Sequence, residues 1–113
     1  MISKEDFLEE RRKLTAEMIK FSGKETKRFL SLDSQVYREG ALDKQTKEML
    51  GLVASIILRC DDCIRYHLHQ CYELKIESKK IEEVFSIALV VGGSITIPHI
   101  RRAIDYWNKL FAE

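Results

Sequence analysis

Residues 43–67 read DKQTKEMLGLVASIILRCDDCIRYH, and they set the fold. Asp43 is a residue type that starts helices, its carboxylate accepting a backbone N–H of the first turn. Polar residues follow as far as Glu48. From Met49 the segment is apolar on nearly every side: Leu50, Leu52, Val53, Ala54, Ile56, Ile57 and Leu58. A helix apolar all round belongs in an interior, so the pattern predicts a central helix from Asp43 to about Arg59. A second helical stretch then carries Cys60-Asp-Asp-Cys63-Ile-Arg-Tyr-His67. At about 100° per residue, Cys60, Cys63 and His67 share roughly a 60° arc of one helix face.

That spacing has chemical content. Positions one turn apart lie about 5–6 Å from each other, within the range that a disulfide can bridge. Helix-end electrostatics favour a thiolate at Cys60, where unpaired N–H groups gather. Pairing with the imidazole at i+4 favours Cys63. Both sulfurs remain candidates for the nucleophile on these grounds. Asp61 and Asp62 suit a helix N-terminus but oppose a nearby thiolate. A carboxylate should orient the imidazole, and Glu48, early in the central helix, is the residue to expect there. Its other reading is a solvated side chain of the polar turn.

Outward from this stretch, the rest of the chain is helical. It has one proline, Pro98, and five glycines, few interruptions for 113 residues, and no sustained period-two alternation, repeat or low-complexity tract. Ser3 and Asp6 resemble a capping box opening a first helix to about Phe21, ended by Ser22-Gly23. A second helix runs from about Lys24 to Arg38, with Phe29, Leu30, Val36 and Tyr37 as apolar positions, and stops at Gly40. The motif helix covers about Asp61 to Leu74. Ser78 is expected to cap a fifth helix, apolar around its axis from Ile81 to Val91 and broken by Gly92-Gly93. A last amphipathic helix starts near Thr96-Ile97-Pro98, where proline in the first turn is tolerated, and reaches Phe111. The expected class is all-α: about six helices in one domain over residues 1–113. The third and fifth helices are too apolar for six helices to cover, so one of them, or the first two helices, is expected to pack against another subunit.

Composition narrows function by exclusion. Net charge is +1, with 19 basic and 18 acidic residues interleaved, which offers nothing to nucleic acid or an anionic membrane. The longest apolar run falls far short of the ~20 residues that span a bilayer, and the acidic start lacks a signal core. The expected setting is the cytoplasm, where three cysteines point to catalysis or metal rather than structural disulfides. Haem attachment would need His directly after the second Cys, and Ile64 is there. Cys71 lies too far along the helix, about 16 Å from Cys60 at 1.5 Å per residue, to share one zinc ion with it. A site of Cys60, Cys63 and His67 alone remains open. Cys71, Tyr106 and Trp107 read as packing residues, His69 and His99 as surface or interface ones, and Tyr66 as packing or lining the thiols.

Glu48, eleven intervening residues, Cys60-x-x-Cys63, three more and His67, preceded by Gly40-Ala41-Leu42-Asp43 and followed by a Ser-led apolar helix ending in Gly92-Gly93, resemble the signature of the AhpD-like, carboxymuconolactone decarboxylase superfamily. The resemblance covers about residues 26–110. It implies an all-α fold assembled as trimers or hexamers with the motif near subunit contacts. It implies a thiol-dependent peroxidase or disulfide reductase of antioxidant defence that needs no cofactor or metal. The substrate would be a small hydroperoxide or disulfide, and the electrons would come from a thiol reductant protein. By position, Cys63 would be the peroxidatic thiol, Cys60 the resolving thiol, and Glu48 and His67 the proton relay. AhpD has a histidine immediately before its second cysteine; here Asp62 stands, which raises a neighbouring thiol's pKa. Two other functions are to be weighed: a decarboxylase-type lyase using Glu48 and His67 as acid and base, and a non-catalytic helical oligomer. Decarboxylases of the superfamily lack the Cys pair, which favours the redox function.

Overall fold

The computed structural model describes residues 4–112. Its helices are α1 (Lys4–Phe21), α2 (Lys24–Val36), α3 (Lys44–Ile57), α4 (Asp61–Glu73), α5 (Ser78–Gly92) and α6 (Ile97–Ala112), with a 3₁₀ turn at Ser94–Thr96 between the last two. The class is all-α, as expected. The proposed Ser3 cap lies outside the described residues.

α3 packs on α4 and α5, α4 packs on α6, and α1 touches α6. Leu52, Ile56, Ile64, Leu68, Ile81, Ala88 and Leu110 are shut away between them. Phe7 of α1 stands edge-on to Tyr106 at 5.8 Å. α2 buries none of its residues. The radius of gyration is 14.5 Å, larger than the about 13 Å of a compact chain of this length, as an α2 standing off the core requires.

α3 and α5 are not surrounded as their composition suggested. α3 buries one face, Glu48, Gly51, Leu52, Ser55 and Ile56, and leaves Leu50 and Leu58 exposed. α5 buries Ile81, Val84, Phe85 and Ala88, while Ile87, Val90 and Val91 face outward.

Helix ends explain most departures from the expected boundaries. Asp43 is the N-cap of α3, Oδ1 accepting from Thr46 N–H at 2.7 Å. α3 stops at Ile57 rather than Arg59, because Arg59 adopts a left-handed conformation, φ 59°. There the N–H groups of Arg59 and Cys60 donate back to Ile56 O and Ser55 O, the paired closure of a Schellman motif. α4 ends the same way: Lys75 has φ 60°, with Lys75 N–H on Tyr72 O and Ile76 N–H on Cys71 O. α2 ends at Val36, two residues before the expected Arg38. Ser78 does not cap α5; Glu77 holds that position without a side-chain bond, and Ser78 Oγ instead accepts the Trp107 indole N–H at 2.9 Å. Gly93, at φ 82°, ends α5 in a conformation that favours glycine.

Candidate functional site

The Schellman turn that closes α3 delivers Cys60 straight into the N-cap position of α4. One turn on, Cys63 N–H points back at Cys60 Sγ, 3.4 Å away, and the two sulfurs lie 3.0 Å apart. They are unbonded thiols; Cys60 is half-buried and Cys63 exposed. A disulfide needs about 2.05 Å, so roughly one ångström of movement would join them.

Glu48 is buried, 1% exposed, not solvated. A buried carboxylate requires a partner, and Glu48 Oε1 meets His67 Nδ1 at 2.8 Å. Lys44 Nζ stands 3.4 Å from the other oxygen. A carboxylate can only accept, so Nδ1 carries the ring proton and Nε2 is left as an acceptor. Glu48 and His67 are therefore brought together, as are Cys60 and Cys63. Among the described residues no hydrogen bond links His67 to either sulfur. Nε2 instead faces the Tyr37 hydroxyl at 3.5 Å. No three His, Cys, Asp or Glu side chains converge as metal ligands among the described residues.

The thiol electrostatics follow from these neighbours. Burial, the Cys60 sulfur and the Asp62 carboxylate push Cys63 up to about 11, with Arg11 pulling the other way. Roughly 10⁻⁴ of such a thiol is ionised at pH 7, so a nearby proton acceptor would speed any reaction of this sulfur. Arg11 of α1 reaches Asp62 at 3.6 Å and lies over the Tyr66 ring at 4.0 Å, partly offsetting the charge that replaces the AhpD histidine. Tyr66 stands edge-on to His67 at 5.4 Å. Asp61 is held by His99 Nδ1 at 2.9 Å and Arg102 Nε at 3.1 Å. His99 thus ties α6 to the start of α4 rather than lying free on the surface.

Three contributors had no motif to announce them. Tyr37 is the C-cap of α2 and had counted only as an apolar position of that helix. Arg11 sat in an ordinary charged stretch. Gly51 did leave a signal: a lone glycine in an apolar helix has a packing reason. A Cβ there would lie 2.7 Å from His67 Cε1 and 2.8 Å from the Tyr37 oxygen, so only a bare backbone lets both rings approach α3. A groove of about 340 Å³, lined by Val36, Tyr37, Leu42, Leu50 and Gly51 among others, opens on this spot.

The family model for the carboxymuconolactone decarboxylase family matches residues 24–106. The chain belongs to this family. Two crystal structures of one Thermotoga maritima protein share the fold, with TM-scores of 0.92 and 0.90 and 53% and 54% identity, over 94% of this chain and 93% and 90% of theirs. That protein is described as a carboxymuconolactone decarboxylase family member linked provisionally to antioxidative response. A Legionella pneumophila carboxymuconolactone decarboxylase family protein matches at TM-score 0.76 and 24% identity, over 94% of this chain and 91% of that one, and shows the shared fold alone. An uncharacterised protein from the cox locus of Paracoccus denitrificans is 26% identical over 82 residues, 73% of this chain and 74% of its own length. Among the described residues, no helix of this family member is long and apolar enough to cross a membrane.

Proposed function

We propose that the protein is a thiol-dependent peroxidase or disulfide reductase of antioxidant defence. The carrying observation is the pair of thiols 3.0 Å apart at the start of α4, with the more exposed sulfur on Cys63. Cys63 loses its proton and attacks the outer oxygen of a hydroperoxide. The O–O bond breaks, the alkoxide leaves and takes up a proton, and Cys63 becomes a sulfenic acid. Cys60 then attacks that sulfur, releases water and forms the Cys60–Cys63 disulfide. A dithiol protein restores both thiols, so each cycle moves two electrons and needs no cofactor. With a disulfide substrate, the attacked bond is S–S. Glu48 holds the His67 tautomer and balances the imidazolium while the proton is stored. A cytoplasmic setting suits a pair that must be returned to thiols, and the uncovered apolar faces of α2 and α5 suit assembly as a trimer or hexamer.

Mass spectrometry after stoichiometric hydroperoxide tests the cycle. The wild type should yield a Cys60–Cys63 disulfide, and Cys60→Ser a sulfenic acid trapped on Cys63. Unmodified thiols in both proteins would sink the redox function. A lyase function is the second reading, favoured by the burial of the Glu48–His67 pair and its independence of either sulfur. Lyase turnover surviving Cys63→Ser would establish it.

A further inference from the structure

Asp61 and Asp62 open α4 side by side, and the fold treats them differently. Asp62 leaves 64% of its side chain exposed, 3.6 Å from Arg11. Asp61 is bonded to α6. A carboxylate can only accept, so His99 Nδ1 donates to its Oδ1 at 2.9 Å, and Arg102 Nε donates to its Oδ2 at 3.1 Å. A second Arg102 nitrogen lies 3.1 Å from the same oxygen. His99 and Arg102 are three residues apart in α6, neighbours on one helix face, so both reach one carboxylate. Burial alone would raise the Asp61 carboxyl, but the bonds and charges of His99 and Arg102 outweigh it and hold the group below its ordinary value.

The link from this anchor to the sulfurs is the chain itself, because a peptide bond joins Asp61 to Cys60. Cys60 N–H donates to Ser55 O of α3 at 3.1 Å, and Cys60 O accepts Ile64 N–H of α4 at 2.9 Å. The Asp61 carboxylate adds the tie to α6. The side-chain cap of this turn is weak by comparison: Cys60 Sγ accepts Cys63 N–H at 3.4 Å, and sulfur is not among the groups that cap helices strongly. That bond is also disturbed when Cys60 Sγ moves to meet Cys63. The Asp61 bonds come from a helix that takes no part in the disulfide, so they can hold the first turn of α4 in both redox states.

From this geometry we propose that His99 and Arg102 are positioning residues for the thiol pair: by anchoring Asp61 to α6 they hold Cys60 against Cys63 and set how readily the disulfide closes. The inference rests on the thiol function above. The sulfurs stand 3.0 Å apart, so with the first turn fixed, closure to about 2.05 Å orders little else. With the anchor cut, the dithiol gains conformational freedom that the disulfide must give up, and the disulfide becomes easier to reduce. Glutathione reads that balance. Oxidised glutathione takes two electrons and two protons from the Cys60–Cys63 pair, the Sγ–Sγ bond forms, and two molecules of reduced glutathione are released.

The test equilibrates the full-length protein with mixtures of reduced and oxidised glutathione at pH 7 and counts the Cys60–Cys63 disulfide by mass spectrometry. Arg102→Gln and His99→Ala should each lower the equilibrium constant for disulfide formation. Together they should lower it by about tenfold, equivalent to about 30 mV. Arg102→Lys, which keeps a cation beside Asp61 Oδ2, should recover part of the loss. In an Asp61→Ala protein, Arg102→Gln should change nothing further, because the carboxylate through which it acts is gone. Circular dichroism checks that each variant is folded. Urea unfolding separates positioning from mere scaffolding: a scaffold contact lowers the midpoints of the oxidised and reduced proteins equally, whereas loss of the anchor should lower the oxidised one more. An unchanged constant in folded Arg102→Gln and His99→Ala, or a full further loss when Arg102→Gln is added to Asp61→Ala, would overturn the positioning role and leave the thiol function standing. A wild type that forms the disulfide but consumes no hydroperoxide would overturn the peroxidase and leave the anchor standing. A wild type that forms no disulfide at any glutathione ratio would overturn both.

Discussion

Cys63 owes its ionisation to neighbours supplied by three parts of the chain: Cys60 and Asp62 beside it, Arg11 from α1, and the apolar packing around it. The raised value has a definite sign. Thiolate is the charged form; burial, the Cys60 sulfur and the Asp62 carboxylate oppose it, and Arg11 favours it, so the thiolate accumulates only as pH approaches about 11. Asp62→Asn should therefore move the alkylation profile of Cys63 to lower pH, and Arg11→Gln should move it higher. Each shift should stay below about one pH unit, because exposed charges are screened. Alkylation rate against pH, followed by mass spectrometry, reads both, and opposite signs would refute the charge model. Cys60, Cys63, His67 and Glu48 were legible because helical periodicity and the cost of burying a carboxylate act within a few turns of chain. Tyr37 and Arg11 were not, because tertiary folding alone brings α2 and α1 over the site. The His67–Cys63 pairing that i,i+4 spacing allows is not made in this conformation, in which Glu48 holds Nδ1 and Nε2 faces the Tyr37 phenol.

Element ends show a second limit of sequence reading. Asp43 was legible as a cap because carboxylates are strongly selected there. The ends of α3 and α4 were blurred because the left-handed position after each helix is filled by Arg59 and Lys75, not by the glycine that marks most such turns. A side chain in that conformation costs roughly 1–2 kcal/mol, and the greater freedom of glycine in the unfolded chain offsets about 0.5–1 kcal/mol. Lys75→Gly should therefore stabilise the protein by about 0.5–1 kcal/mol, read as a higher denaturation midpoint at unchanged slope. A loss of stability would mean that the Lys75 side chain makes a contact outweighing the backbone strain. The same conformation at Arg59 has a different consequence, since the turn it closes sets Cys60 as the cap of α4. Ser78 misled for a simpler reason: a serine beside a helix start can serve either the helix backbone or a distant donor, and the Trp107 indole claims it.

At the scale of the molecule, the six helices and the all-α class followed from periodicity, whereas the placing of α2 did not. The first two helices were among those expected to pack against another subunit, and Phe29, Leu32 and Val36 of α2 lie exposed, Phe21 at the α1–α2 joint is 95% exposed, and Val90 on α5 is 84% exposed. Scattered surface leucines are ordinary, but so many exposed apolar residues on two helices of so small a chain suit the subunit contact proposed above. The proposed site gives this surface a further role. Tyr37 sits at the end of α2, the helix least held by the core of its own chain, so whatever covers α2 also steadies the phenol against His67. The proposed trimer or hexamer should then appear as a native mass of three or six chains. Phe29→Glu and Val90→Glu, each placing a charge where a partner chain would desolvate it, should shift that mass towards the single chain. Light scattering coupled to size-exclusion chromatography measures this, with near-native circular dichroism showing that the chain remains folded. Phe29→Glu should also lose peroxide turnover alongside its assembly, because α2 would no longer be clamped. Val90→Glu, far along the chain from Tyr37, should lose assembly with a smaller loss of turnover. A wild type that runs as one chain, or a Phe29→Glu protein that keeps its full mass, would refute the proposal that α2 is covered by another copy.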